Sequence, residues 1–187
     1  MRPVYCSMKT RHPVFRLFII LNLCIWVMPV FGQQDIKDLE WQEGRPLTWS
    51  DFPYIRLKSG KKELALTSVK HKVTGRMVEG APDFEVKVYF IVKDSWTTDT
   101  TSVNLLAHEQ LHFDIGELYR RKIAKKVKRL RDTGERQKAI YRYAIKKLLS
   151  DFRIFSREYD KATRHGTLLP EQKKWEIRIK EELNRLQ

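Results

Sequence analysis

The sequence predicts an α+β fold in which antiparallel strands come first and helices follow. Two segments between residues 65 and 92 alternate apolar and polar side chains, as half-buried strands do. From residue 103 onward the apolar side chains recur every three or four positions, which is typical of helices that pack on a core. Because strands and helices are segregated along the chain, an α+β arrangement is favoured over an alternating α/β one.

The first predicted strand places five alternate residues on one face: Ala65, Thr67, Val69, His71 and Val73. The second has a stronger alternation, with one face formed by Phe84, Val86, Val88, Phe90 and Val92. Glycines and a proline separate the two segments, at Gly75 and at Gly80-Ala81-Pro82-Asp83. We therefore expect an antiparallel hairpin with a long turn.

Three helices are predicted after a cluster of serine and threonine residues that can cap a helix N-terminus. The first runs from Val103 to about Arg131, and Gly134 follows it at a break. The second runs from Glu135 to about Phe155, and a loop is expected from Tyr159 to Leu169. Pro170 predicts the start of a third helix, whose apolar face carries Trp175, Ile179, Leu183 and Leu186.

Residues 1–32 have the composition of a signal peptide. A basic stretch precedes an apolar run from Leu17 to Phe31, and the small residue Gly32 follows. The run is shorter than the about 20 residues of a membrane span, although an uncleaved N-terminal anchor is the alternative. Both cysteines, Cys6 and Cys24, lie in this leader, so the mature chain would have no thiol for a disulfide or a metal. We expect an exported protein, periplasmic or secreted, that begins near Gln33.

The chain is strongly basic. It carries 37 basic and 23 acidic residues, a formal net charge of +14, and the four basic residues of the leader leave the mature chain at +10. Much of this charge lies between Arg120 and Lys147. This position favours a solvated helix face, and contact with an anionic envelope surface is the alternative. No nucleic-acid-binding motif accompanies the charge, so we expect no nucleic-acid partner.

The first predicted helix carries His108, Glu109 and His112 in the order H-E-x-x-H. Residues four apart on a helix lie one above the other, so both imidazoles can bind one metal ion. Zinc lowers the pKa of a bound water to about 7, and Glu109 can accept the proton of that water. The motif therefore predicts a zinc-dependent hydrolase with His108 and His112 as ligands and Glu109 as the general base.

The helical projection places both histidines within an apolar stripe that includes Leu105, Leu111 and Ile115. We therefore expect the imidazoles to face the protein interior. A pair of core histidines satisfied by hydrogen bonds is the structural alternative, and the glutamate between them favours the metal site.

The third ligand must come from another segment. Asp114 and Glu117 project away from the two histidines on a regular helix, so they cannot complete the site. His71 lies in a predicted strand with valines on its own face, which favours a packing role.

His165 lies in the loop predicted after the second helix. Two helices of similar length would form a hairpin that returns this loop to the start of the first helix. We therefore predict His165 as the third zinc ligand, with water in the fourth position. Glu158 and Asp160 are the alternatives, because carboxylates also serve as third ligands.

Several segments share a recognisable pattern: Trp49-Ser50-Asp51-Phe52, Ala65 with Thr67, Ser95-Trp96, Leu105 to Ile115, and Tyr159-Asp160 through Thr163 to His165-Gly166. Together they resemble an uncharacterised family of secreted bacterial proteins described as predicted zinc-dependent proteases. The resemblance implies a zincin-like fold and hydrolase activity for residues 33–169, but no particular substrate. It also implies that the predicted C-terminal helix, residues 170–187, is a variable addition.

We expect an exported zinc peptidase that acts on a peptide or protein substrate. The alternative is a non-enzymatic exported protein that binds an envelope component and keeps a structural or vestigial metal site. Hydrolysis of a non-peptide amide, such as one in cell-wall material, is a third possibility. Glu109 favours an enzyme, because a structural metal site needs no general base.

Overall fold

A computed structural model describes residues 37–55 and 63–186; the predicted signal peptide and both cysteines lie outside these ranges. Antiparallel strands precede three helices, so the predicted α+β class is confirmed. The strands are β1 (Leu39–Glu40), β2 (Ala65–Leu66), β3 (Val69–Val78), β4 (Ala81–Phe90) and β5 (Trp96–Thr97). The helices are α1 (Val103–Asp132), α2 (Lys138–Thr163) and α3 (Leu169–Asn184).

The predicted hairpin is formed by β3 and β4, and β1 pairs with the other edge of β4. The prediction of a long turn is wrong, because only Glu79 and Gly80 lie between the two strands. Both have positive φ, 50° and 74°, as in the two-residue turns whose backbone matches the strand twist. Gly75 therefore does not interrupt the strand, and it pairs with Phe84 within the hairpin.

The first predicted strand is divided in the structure. Ala65 and Leu66 pair with β5, whereas the chain from Val69 pairs with β4. At the division, the backbone N–H of Ser68 donates to Ser95 Oγ at 3.0 Å. Because the side-chain alternation continues through this point, it did not reveal the change of partner. The consequence is that β2 leaves the main sheet and contacts α1.

The first helix lies where the sequence predicted it. Ser102 is its N-cap, and Ser102 Oγ accepts a hydrogen bond from the backbone N–H of Leu105 at 3.2 Å. The third helix also begins as predicted, with Pro170 in its first turn. Within residues 37–55 and 63–186, no helix combines the length and the apolar character needed to cross a membrane.

The second helix is longer than predicted. It continues from Phe155 to Thr163, so the predicted loop at 159–169 is reduced to residues 164–168. Tyr159 and Thr163 are fully buried, and with Phe155 they continue the inward-facing stripe at intervals of four residues. The polar residues between these buried ones led to the prediction of a loop. In the structure they lie on the outward face of α2 or at the functional site.

Helix α1 lies at the centre of the packing. On one side Phe113 packs with Val88 and Phe90 of β4. On the other side Leu118 packs with Tyr159 of α2 and Ile179 of α3. Because Ile179 is fully buried in this cluster, α3 is part of the core rather than an appended segment.

Gly116 allows α1 to approach the sheet closely. A Cβ atom added there would lie 2.6 Å from Val69 Cγ1 and 3.0 Å from Val88 Cγ2. Next to this contact, His71 Nε2 donates to the Gly116 carbonyl at 2.8 Å. Gly116 lowers the helix propensity of α1, and the close packing of the helix against Val69 and Val88 accounts for a glycine at this position.

We expect Gly116→Ala to lower the free energy of unfolding. Helix propensity alone would raise it by about 0.8–1.0 kcal/mol, but overpacking in a close-packed core costs about 1–3 kcal/mol. Urea unfolding of the variant measures the net effect. Ala124→Gly, at an exposed position of α1, is the control that measures the propensity contribution alone. If Gly116→Ala were as stable as the parent or more stable, the close approach of α1 to the sheet would not require a glycine.

Candidate metal centre

The two histidines of α1 face the interior, as the helical projection predicted. His108 is 2% exposed, and the rings of His108 and His112 lie 4.9 Å apart at an interplanar angle of 85°. Tyr159 of α2 stacks on His108 at 4.6 Å and meets His112 edgewise at 4.9 Å. One aromatic ring therefore packs behind both imidazoles and holds them in place.

Asp160 follows Tyr159 on α2 and completes the cluster. Its Oδ1 lies 2.8 Å from His112 Nε2 and 3.2 Å from His108 Nε2. Burial raises the pKa of Asp160, but hydrogen bonds from both histidines and their positive charge outweigh this effect and hold the pKa well below its usual range. An ionised carboxylate oxygen thus lies between two ring nitrogens.

These three donors fit the requirements of a metal ion. The donor atoms all lie within 4.8 Å of one another. Bonds of about 2.0–2.1 Å in a tetrahedral zinc site place the donors about 3.3 Å apart, which is close to the 2.8 and 3.2 Å separations here. Imidazole and carboxylate are also ligands that divalent transition metals accept. The cluster of His108, His112 and Asp160 could therefore hold a metal ion.

The remaining ring nitrogens have partners outside the cluster. His108 Nδ1 lies 3.2 Å from Gln172 Oε1, and His112 Nδ1 lies 3.2 Å from Ser156 Oγ. Histidines that bind metal usually donate the other ring N–H to such an acceptor, which fixes the tautomer and the ring orientation. The arrangement directs both Nε2 atoms towards Asp160.

Glu109 is buried next to the cluster. The residue is 3% exposed, and its Oε2 atom has no hydrogen-bond partner among the described residues. Buried carboxylate oxygens are normally satisfied, so an unpartnered one requires a functional or structural reason. Glu109 also lines the cleft that both histidines line, and no described residue competes for its Oε2 atom.

The cluster opens into a cleft of about 850 Å³, which is within the range of ligand-binding sites. Its walls are the N-terminal part of α1, the end of α2 with the following turn, and β2 with its neighbours. Leu64 and Leu66 on the β2 wall are each 46% exposed. The cleft therefore combines polar groups at its base with apolar side chains at one edge.

The turn after α2 closes the cleft beside His108. Arg164, His165 and Gly166 all have left-handed φ, at 49°, 54° and 77°. A Cβ atom added at Gly166 would lie 2.8 Å from His108 Cβ. The chain after the second helix thus returns to His108 as predicted, and glycine permits both the conformation and the contact.

His165 lies at the rim of the cleft. Its side chain is 60% exposed, and its Nδ1 lies 3.7 Å from Asp160 Oδ1. Of the three candidates for the third ligand, Asp160 lies in the cluster and His165 lies beside it. Glu158 is exposed and is not among the described residues that line the cleft. The assignment of His165 as third ligand stays a prediction, and Asp160, its alternative, is the one of the two that lies within reach of both Nε2 atoms.

The two acidic residues that the helical projection excluded do face other partners. Asp114 accepts hydrogen bonds from Trp41 Nε1 and Gln110 Nε2, and burial raises its pKa. Glu117 pairs with Arg120 and Arg121. Neither carboxylate lines the cleft.

Three contributors were missed by sequence reasoning. Ser156 and Tyr159 share the face of α2 that carries Asp160, and their spacing of three and four residues would have identified them if the helix had been extended past Phe155. Gln172 had no comparable signal, because a single glutamine in a polar helix is ordinarily a surface residue.

Comparison with known proteins gives one match. Residues 48–166 match the family described as bacterial protein of unknown function (DUF922). No curated protein and no solved structure matches the chain. The matched range contains both histidines of α1 and the end of α2, and it ends before α3.

We expect Asp160→Ala to weaken zinc binding more than His165→Ala does, because Asp160 Oδ1 lies between the two Nε2 atoms. Loss of a ligand should exceed the about 10–100-fold loss typical of a supporting residue. Competition with a chromophoric chelator measures the affinity, with Glu158→Ala as the exposed-carboxylate control. Strong zinc binding by Asp160→Ala together with loss in His165→Ala would assign the third ligand to His165.

Proposed function

The chain belongs to the bacterial DUF922 family, and we propose that this protein is an exported zinc-dependent metallohydrolase that cleaves peptide bonds. The observation that carries the proposal is the buried, unpartnered Oε2 of Glu109 next to a cluster of three potential metal ligands. A purely structural metal site would not require an unsatisfied carboxylate at this position. Helix α1, which carries the H-E-x-x-H motif, lines a cleft that β2 also borders, and this arrangement supports the zincin-like classification.

His108, His112 and Asp160 are the residues that would hold the ion. Zinc is proposed because two imidazoles and one carboxylate are a ligand set found in catalytic zinc sites, where one position stays open. When bound, zinc supplies a Lewis acid and makes hydroxide available near neutral pH.

Glu109 supplies the proton transfers. Its Oε2 faces no competing donor in the described protein, so it can accept a proton from the attacking water. The same oxygen can then return the proton to the leaving amine. Burial of the carboxylate keeps bulk water away from it, so the proton remains within the site.

The cleft is suited to part of a polypeptide. Its volume of about 850 Å³ accommodates several residues of an extended chain, and residues 63–67, which include β2, form part of its lining. Leu64 and Leu66 offer apolar contacts there, at 46% exposure each. Hydrolysis of a non-peptide amide would use the same acid–base group, and a substrate screen separates the two.

The second candidate function is binding of an anionic envelope component. It is supported by a groove of about 500 Å³ between β3 and α2, away from the metal cluster, that is lined by four basic residues: Lys138, Arg142, Lys146 and Arg153. Elsewhere the basic residues of α1 are largely paired, for example Lys122 with Glu182 and Lys128 with Asp132. The groove does not account for the unpartnered Glu109, so hydrolysis is the preferred function.

We predict that Glu109→Gln retains zinc and abolishes nearly all hydrolysis, because an amide cannot accept the proton. The expected fall in kcat is about 10²–10⁴-fold, as for loss of a general base. The assay is cleavage of a peptide library by purified zinc-loaded protein, with zinc content measured in parallel.

Asp114→Asn is the matched control, since it makes the same acid-to-amide change at a half-buried site of α1 that does not line the cleft. It should keep its activity. Retention of most activity by Glu109→Gln would rule out Glu109 as the base. Absence of cleavage by the parent, with or without bound zinc, would overturn the proposed function.

We predict that the mature protein begins near Gln33 and is found outside the cytoplasm. The basic and apolar composition of residues 1–32 is the reason for this expectation. Intact-mass measurement of the protein recovered from the periplasm and the medium gives the N-terminus. A full-length chain in the membrane fraction would show instead that the segment is an uncleaved anchor.

A further inference from the structure

Helix α3 lies outside the range that matches the family, yet one of its side chains contacts His108 of the candidate metal cluster. Gln172, in the first turn of α3, is 4% exposed and lies directly behind His108. A buried amide has four hydrogen-bonding positions to satisfy, so its surroundings determine which way it points.

The surroundings of Gln172 impose one orientation. On one side, Tyr159 Oη lies 2.7 Å from Gln172 Oε1 and 3.2 Å from the His108 carbonyl, so these two acceptors share its one proton. His108 Nδ1 lies 3.2 Å from the same glutamine oxygen. On the other side, Gln172 Nε2 donates to Glu176 Oε1 at 3.2 Å. A carboxylate accepts hydrogen bonds and does not donate them, so the amide NH₂ must face Glu176 and the carbonyl must face His108.

This orientation determines the tautomer of His108. Because a carbonyl oxygen can only accept, the hydrogen bond to Gln172 requires the proton on Nδ1. Nε2 faces Asp160 and donates to it when no metal is bound. With the Nδ1 proton held by Gln172, the Nε2 proton is the one that a metal ion would displace, and Nε2 would then be the ligand atom. With the amide reversed, the NH₂ group would face Nδ1 and leave the one N–H of the neutral ring on Nε2, where it would block metal binding.

His112 has no equivalent constraint. Its Nδ1 partner is Ser156 Oγ at 3.2 Å, and a hydroxyl can either donate or accept. The serine therefore permits both tautomers, whereas the pair of Gln172 and Glu176 permits one. The surroundings of His108 therefore fix its tautomer, whereas the surroundings of His112 do not.

We propose that Gln172 is a positioning residue which, oriented by Glu176, holds His108 in the metal-binding tautomer, so that α3 is an integral part of the metal centre. This inference rests on the proposed metal site but not on its hydrolytic activity. It assigns a function to a helix that the family match does not include. It also explains why the amide and the carboxylate lie one helical turn apart, at positions four residues apart on the same face.

The test is zinc affinity in a set of variants, measured by chelator competition on the full mature chain. Gln172→Leu keeps the size of the side chain but removes the acceptor, and we expect about 10–100-fold weaker zinc binding. The double variant Gln172→Glu/Glu176→Gln reverses the pair, so that a carboxylate accepts from His108 and an amide donates from position 176. We expect this reversal to restore most of the affinity, which a loss of packing alone would not explain.

Gln110→Leu is the matched control. It removes the same amide from α1, where Gln110 bonds the backbone N–H of Leu47 and the carboxylate of Asp114, outside the cleft. It should lower thermal stability without a comparable change in zinc affinity. Thermal unfolding of every metal-free variant separates a folding defect from a ligand effect.

The outcomes are distinct. If the parent binds zinc and Gln172→Leu binds it equally well, the inference is wrong and the proposed function stands. If Gln172→Leu loses affinity and the reversed pair does not regain it, the side chain acts through packing and the inference is also wrong. If the parent binds zinc and cleaves no substrate, the inference is still tested by the variants while hydrolysis is overturned. A parent that binds no zinc overturns both.

Discussion

The burial of His108 is the constraint on which the rest of the structure depends. A buried polar group without a partner costs about 1–3 kcal/mol, and His108 brings two ring nitrogens into the interior at 2% exposure. One nitrogen is satisfied by α2 through Asp160 and the other by α3 through Gln172. Tyr159 covers the ring and binds the same glutamine. The three helices are therefore joined at one imidazole, and the position of each affects the others.

Two glycines allow the close packing that this arrangement needs. Gly116 lets α1 approach the sheet at Val69 and Val88, and Gly166 lets the turn after α2 rest against His108. One contact lies on the sheet side of α1 and the other lies at the cleft. Since protein interiors are close-packed, movement at one contact is transmitted to neighbouring side chains rather than absorbed. Stability of the helix–sheet layer and geometry of the cluster are thus coupled through α1.

Local patterns predicted most of the elements but not their connections. The alternation around β4 and the cluster of capping residues that contains Ser102 are properties of neighbouring residues, so they could be recognised directly. The turn at Glu79 was misjudged because a two-residue turn depends on backbone conformation more than on composition. The division between β2 and β3 was missed because side-chain alternation reports a face and not a pairing partner.

The sequence by itself determined the pair of histidines, because residues four apart on one helix are neighbours whatever the rest of the chain does. The same local geometry excluded Asp114 and Glu117 from the cluster. Only the tertiary structure decided that Asp160 lies between the imidazoles and that Gln172 lies behind one of them. The contact between His112 and Asp160 spans 48 positions of the chain, and the contact between His108 and Gln172 spans 64. They depend on the length of α2 and on how three helices pack, which no local pattern contains.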